Sequence, residues 1–274
     1  MGRVRAVWIL GALAAVTLVG LPVQWAALRV SRPAARRIPV LYHRILLRLL
    51  GTRLTIVGRP APGRPLLLVA NHVSWFDIPL LSAIGPLSFV AKSEVGTWPV
   101  VKTLARLQRT VFVDRQRRSA TGGTREEIAG RLSDGDVMVL FAEGTSNDGN
   151  RVLAFKTALF GAVPDGRAED ERPLLVQPVS IAYTRVNGVA MGRQHRPLVA
   201  WHGDKDLAPH VLELLRTGPL DAVVVFGEPI PLKEGRGRKE VARLAEETVR
   251  AAAMRALHAG EGLLAPLSER RQNR

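Results

Sequence analysis

The sequence predicts an α/β fold: a central, mostly parallel or mixed sheet flanked by helices and preceded by N-terminal membrane-associated helices. Three observations predict it. From residue 54 onward, short apolar runs alternate with stretches of helical periodicity, the pattern of stacked strand and helix layers. Several runs are apolar at consecutive positions rather than at every second one, which marks strands covered on both faces. Ahead of them, residues 6–23 carry no charge.

Taken in order, AVWILGALAAVTLVGLPV (6–23) has the length a helix needs to cross a hydrocarbon core, roughly 17 to 25 residues. It exceeds the roughly 7 to 15 apolar residues of a signal peptide, and no A-x-A-like site follows it closely. A cleaved signal peptide and a buried core helix are the other readings of such a segment. Next, residues 29–53 place Leu41, Ile45, Leu46 and Leu49 among His43, Arg44 and Arg48 at helical spacing. This reads as a basic amphipathic helix suited to a headgroup layer, each basic side chain adding about 1 kcal/mol near anionic lipid. Residues 1–50 are therefore an anchor, either one span plus an interfacial helix or a hairpin that dips into one leaflet at Pro22.

Strands are predicted at residues 54–58, 65–70, 87–92, 110–115, 137–144, 174–184 and 221–230. Helical periodicity or helix-ending glycines occur at 119–135, 152–163, 207–218 and 236–260. The last dozen residues read as a flexible tail.

Composition narrows the chemistry. The chain has 274 residues, no cysteine and a formal charge of +15, with six lysines among 39 basic residues. Disulfides, thiolate metal sites and a cysteine nucleophile are excluded. The charge implies an anionic partner, and Asp77 is the first acidic residue, after eleven arginines. An anionic membrane surface fits the arginine-flanked apolar segment. Nucleic acid finds no support: there is no helix-turn-helix cue, zinc-finger spacing or RNP-like strand, and aromatic residues are 5%. His202, Asp204, Asp206 and His210 lack the firm spacing of a zinc site and read as a loop entering a helix, so no metal is expected.

In open α/β sheets, sites gather at the carboxyl ends of strands. NHVSWFD (71–77), VDR (113–115) and AEGTS (142–146) each lie at such an end. His72 and Asp77 can form a dyad if the chain turns between them, the carboxylate taking one ring N–H and leaving the other nitrogen as a base. Ser74 and Asp77 also fit an S-x-x-D capping box, which would spend the carboxylate on a helix start. Pro79 complicates the capping-box reading, since a proline inside the first helical turns is best tolerated very near the start.

NHVSWFD resembles the NHxxxxD signature of the glycerolipid acyltransferases, the 1-acylglycerol-3-phosphate acyltransferase family. The resemblance runs in order over residues 65–185: RTVFVDR matches G-x-x-F-x-x-R at Phe112 and Arg115, FAEGTS matches F-P-E-G-T-R-S at Phe141, Glu143, Gly144 and Thr145, and VQPVSI matches a strand carrying Pro178. It implies an O-acyltransferase domain over 51–262, between the anchor and the tail at 263–274. By this resemblance His72 is the general base on a lyso-lipid hydroxyl and Asp77 its support, while Arg115, Glu143, Gly144 and Thr145 bind the acceptor. The acyl donor would be a thioester of acyl carrier protein or coenzyme A, with no bound cofactor. Three positions depart from the pattern: Arg109 for glycine, Ala142 for proline and Ser146 for arginine. The stretch EGTSNDGNR is similar to the lyso-ornithine lipid branch, so the acceptor is open between 1-acyl-glycerol-3-phosphate and lyso-ornithine lipid. The competing class is a basic membrane- or nucleic-acid-binding protein without catalysis. Arginine excess after the apolar run predicts the inner (cytoplasmic) membrane, with the catalytic domain on the cytoplasmic side.

Overall fold

The structure, a computed structural model, describes residues 2–63, 65–92, 99–113, 121–162, 173–232 and 237–259. Two helices come first, α1 (Gly2–Val30) and α2 (Arg32–Leu49). There follow β1 (Arg53–Val57), β2 (Leu66–Ala70), α3 (Asp77–Ile84), β3 (Leu87–Lys92), α4 (Pro99–Leu107), β4 (Val111–Val113), α5 (Thr121–Ser133) and β5 (Val137–Phe141). The chain continues through β6 (Leu174–Val186), β7 (Val189–Ala190), α6 (Leu207–Thr217), β8 (Leu220–Phe226), β9 (Ile230–Leu232) and α7 (Arg238–Ala259).

The sheet order is β1-β8-β6-β2-β5-β3-β4, with β7 and β9 pairing on β6. Neighbours are parallel except for β6 against β8, β7 and β9. All seven predicted runs contain strands of this sheet. Consecutive apolar residues in β2 are explained by its central place: Leu66, Leu68 and Ala70 enter the core shared with α1, α2, α3 and α6. Leu67 and Val69 enter the core beneath α5 and α7 on the other face. Burial of each large aliphatic side chain is worth about 1.5–3 kcal/mol.

Residues 152–163 do not form the α-helix their pattern suggested. Residues 152–156 form no regular element, because their backbone is used elsewhere: Lys156 N–H donates to Ala142 O at 2.8 Å and Phe155 N–H to Glu246 Oε2 at 2.9 Å. Only a 3-10 turn, Thr157–Ala162, follows.

The N-terminal pair also differs in detail from expectation. α1 runs without a break through Pro22, and the reversal falls at Ser31, whose hydroxyl accepts from Ala34 N–H at 3.4 Å. The hairpin packs on the α/β body along its length. Gln24 Nε2 donates to Ala35 O at 2.9 Å and Leu107 O at 2.7 Å. The Arg5 guanidinium donates to Leu50 O and Leu215 O, and Arg44 Nε to Ala83 O at 2.8 Å. Because α2 lies between α1 and α3, its buried face includes His43 and Leu46, while Leu41 is 57% exposed. The apolar face read from spacing therefore serves protein packing in large part. The free apolar surface belongs to α1, where Val4, Val7, Trp8, Leu18, Val19 and Trp25 are all exposed.

Arg109 explains one departure from the family pattern. It ends α4 with a Schellman pair of bonds, Arg109 N–H to Arg106 O and Thr110 N–H to Ala105 O, and has φ 61°. Glycine is the usual residue there. Arginine carries the strain of this conformation, but its side chain reaches buried Asp136 at 3.0 Å, beside Arg36 at 2.6 Å and Arg131 at 2.5 Å. That carboxylate joins α2, the α4–β4 turn and α5.

Candidate active site

Parallel pairing of β2 with β5, in the register Ala70 to Phe141, brings the two strand ends side by side. Beyond Ala70 the chain must leave the sheet, and Asn71 manages the exit. Its amide replaces a ladder step against β6, donating to Ile181 O at 2.9 Å and accepting from Ile181 N–H at 2.8 Å. Residues 71–76 then turn into α3, whose first residue is Asp77. An acidic side chain suits that position, since the exposed N–H groups of a helix start favour negative charge.

The dyad forms. His72 Nδ1 lies 2.8 Å from Asp77 Oδ2, and the same oxygen accepts the backbone N–H groups of Val73 at 2.7 Å and Ser74 at 3.0 Å. The other oxygen, Oδ1, accepts the Tyr183 hydroxyl at 2.7 Å. A carboxylate receiving fixed backbone donors is an acceptor only, so His72 Nδ1 carries the proton and Nε2 is the basic nitrogen. Half of the capping box is present as well: Asp77 reaches the Ser74 backbone, but the buried Ser74 hydroxyl makes no hydrogen bond among the described residues. One carboxylate thus serves both alternatives.

Asp77 is completely buried, whereas the His72 side chain is 17% exposed. The imidazole stacks on Phe141 with centroids 4.1 Å apart and planes 19° apart. That stacking closes one ring face to water.

Glu143, one turn beyond β5, is 1% exposed and spends both oxygens internally. Oε1 accepts His72 N–H at 3.3 Å and Oε2 accepts Asn147 Nδ2 at 2.7 Å. Asn147 returns to His72 O through Nδ2 at 3.0 Å and through its backbone N–H at 3.1 Å. Burial pushes the Glu143 carboxyl up to about 7, against the opposing effect of the bonds from Asn147 and His72, and the Asp77 charge adds to the rise. Gly144 is buried at φ 71°, a left-handed turn conformation that glycine adopts freely. Thr145 is exposed, and the Ser146 hydroxyl donates to Trp201 O. Arg115 lies outside the described residues.

Three contributors were not legible as site residues. Tyr183 lies 106 positions from Asp77, Asn147 is a further position of the EGTSN turn, and Asn71 was visible only as part of the quoted motif. Alternation along β6 puts Val179, Ile181 and Tyr183 in one core, which is the signal that could have nominated Tyr183. The 202–210 stretch runs into α6 at Leu207, and buried His210 accepts Trp75 Nε1–H at 3.0 Å.

A family model described as Acyltransferase matches residues 53–182. The lyso-ornithine lipid O-acyltransferase of Brucella abortus (strain 2308) is 51% identical over 258 residues, spanning 94% of this chain and 97% of that protein. The chain belongs to the acyltransferase family. The lyso-ornithine lipid O-acyltransferase of Rhizobium meliloti (strain 1021) is 46% identical over 239 residues, 87% of this chain and 82% of that one. The crystal structure of the 1-acyl-sn-glycerophosphate (LPA) acyltransferase of Thermotoga maritima shares the fold, with a TM-score of 0.65 at 21% identity over 93% of this chain and 97% of that chain. This acyltransferase accordingly carries its His-Asp pair just beyond the carboxyl end of β2, in the middle of the sheet.

Proposed function

We propose that this acyltransferase moves a fatty acyl group from an acyl thioester to the free hydroxyl of lyso-ornithine lipid. The observation that carries the acceptor is 51% identity to a lyso-ornithine lipid O-acyltransferase across nearly the full length of both chains. Ser146 agrees with it, because its hydroxyl is tied to a backbone carbonyl and offers no positive charge to a phosphate.

In this reading, His72 Nε2 removes the acceptor proton as the hydroxyl oxygen attacks the thioester carbonyl carbon. The tetrahedral intermediate collapses, the C–S bond breaks, and the thiolate of coenzyme A or acyl carrier protein takes the proton back from the imidazolium. The product is the ester and a free thiol. Asp77 stabilises the imidazolium, and holding donor and acceptor in line contributes on the order of 7–11 kcal/mol. Glu143 and Asn147 hold the His72 main chain from below, so their part in acceptor binding is indirect. Arg115 and Thr145 are the residues assigned to the headgroup.

The reaction takes place at the cytoplasmic membrane, on the side where acyl thioesters are made. α1 is 29 residues long and apolar enough to cross a bilayer, but Arg5 near one end and Gln24 toward the other are both bonded to the protein body. A helix held along its length in this way lies flat, its exposed face of Val4, Val7, Trp8, Leu18 and Val19 set into one leaflet.

The test is acyl transfer by detergent-solubilised protein offered lyso-ornithine lipid and lysophosphatidic acid in parallel, with each thioester donor, beside His72→Ala. The expected result is transfer to lyso-ornithine lipid that the variant abolishes. Preference for lysophosphatidic acid would overturn the acceptor, and an active variant would overturn the base.

A further inference from the structure

We infer that Tyr183 is a positioning residue for the His72–Asp77 pair, its hydroxyl fixing the Asp77 carboxylate as the partner of the imidazolium formed during transfer. The inference rests on the acyl-transfer reading and adds to it a residue that no short motif contains. Its basis is a count of donors on one buried group. Asp77 has no exposure, and its Oδ2 is shared by Val73 N–H, Ser74 N–H and the His72 ring. Oδ1 has Tyr183 Oη at 2.7 Å. No water can replace that donor without opening the core, and a buried carboxylate oxygen deprived of its partner is costly.

Sequence places the hydroxyl there by a simple route. The Asn71 amide locks onto both backbone groups of Ile181, which sets β6 against the end of β2. Two residues on, the same face of the strand presents Tyr183, since side chains repeat every second position. The ring lies 6.3 Å from Phe76, nearly parallel to it, and the residue is 3% exposed. Burial and the Asp77 charge push the phenol well above its ordinary range, so it remains a donor throughout the reaction. Among the described residues, the other titratable groups near the dyad include Glu143 just beyond β5, clamped to the His72 main chain, and His210 of α6, which meets Trp75.

Removing the hydroxyl raises the energy of the carboxylate most when the imidazole beside it is neutral, and less once the imidazolium shares the charge. The pair therefore takes up its proton more readily, and less of the enzyme holds a free base at a given pH. Tyr183→Phe keeps the ring and its packing. We expect kcat to fall about tenfold or more, with KM for either substrate within about twofold. The acid limb of the kcat profile should move upward by as much as about one pH unit. A purely structural tyrosine would lower the melting temperature without moving that limb.

The chain contains two tyrosines, Tyr42 and Tyr183, which permits a second readout independent of turnover. Protein carrying Tyr42→Phe and grown on 3-fluorotyrosine has one fluorine, at Tyr183. Its 19F resonance should change with pH as the imidazole gains its proton and lose that change in the His72→Ala background. An unchanged acid limb in Tyr183→Phe, or a fluorine resonance that ignores pH in the folded protein, would overturn the inference. Should the protein transfer no acyl group at all, the fluorine titration still reports the Tyr-Asp-His coupling, so failure of the reaction and failure of this positioning role remain distinguishable.

Discussion

Asp77→Asn removes one charge while nearly preserving shape, and the structure dictates how the amide must sit. Val73 and Ser74 present fixed backbone N–H groups to the position of Oδ2, so the amide oxygen is held on the His72 side. The NH2 group then faces Tyr183, whose hydroxyl can rotate to accept it. His72 Nδ1–H keeps an acceptor, and Nε2 remains the base. What is lost is the attraction between carboxylate and imidazolium. With N and O 2.8 Å apart, the charge centres are about 4 Å apart, which at an effective dielectric near 20 is worth about 4 kcal/mol. Salt and solvent screen it little, because the carboxylate is fully buried. The expected fall in kcat is about a thousandfold. Single-turnover acyl transfer in mixed micelles measures it, with circular dichroism to verify folding. A variant within tenfold of the parent would refute charge stabilisation as Asp77's main contribution. A change confined to KM would do the same.

Two further outcomes follow from buried charge elsewhere. Asp136→Ala strands Arg36, Arg109 and Arg131 around one empty position and should cost about 3–5 kcal/mol in chemical denaturation. Arg109→Gly should instead stay within about 1 kcal/mol of the parent, since relief of the left-handed backbone offsets one lost ion pair. Equal losses from the two would show that the carboxylate is not the hub. The Glu143 carboxyl, raised from 4.5 to about 7, binds its proton more tightly folded than unfolded. Its contribution to stability is thus retained below the unfolded value and declines as pH rises toward 7. The decline amounts to about 3 kcal/mol and levels off above that pH. Unfolding free energies of the parent minus those of Glu143→Gln, measured from pH 4.5 to 8, isolate it. A flat difference would contradict the burial argument.

Local pattern in the chain was enough for the layers and for the two ends of the His72–Asp77 pair. Runs such as 65–70 and 137–144 are apolar at successive positions because both faces of a central parallel strand are covered, and that requirement is written into consecutive residues. His72 and Asp77 were legible because they lie five positions apart, so spacing alone limits where the side chains meet. Periodicity was less informative where competing partners decide the outcome. Residues 152–156 have helical spacing, yet Ala142 and Glu246 claim their backbone. α2 has a basic and an apolar side, but being sandwiched between α1 and α3 determined which residues were buried.

Only the folded chain could assign the support of the site. Tyr183 reaches Asp77 across 106 positions, and Glu143 turns its carboxylate onto a backbone amide 71 positions away. These contacts depend on which strands lie adjacent, in what register, and on which carboxylate oxygen is already occupied. A strand's alternation tells which side chains share a face, but not what stands opposite them. Hydrogen bonds in a water-free core are specified by that opposite partner, and for this reason the supporting residues of the pair emerged from tertiary packing.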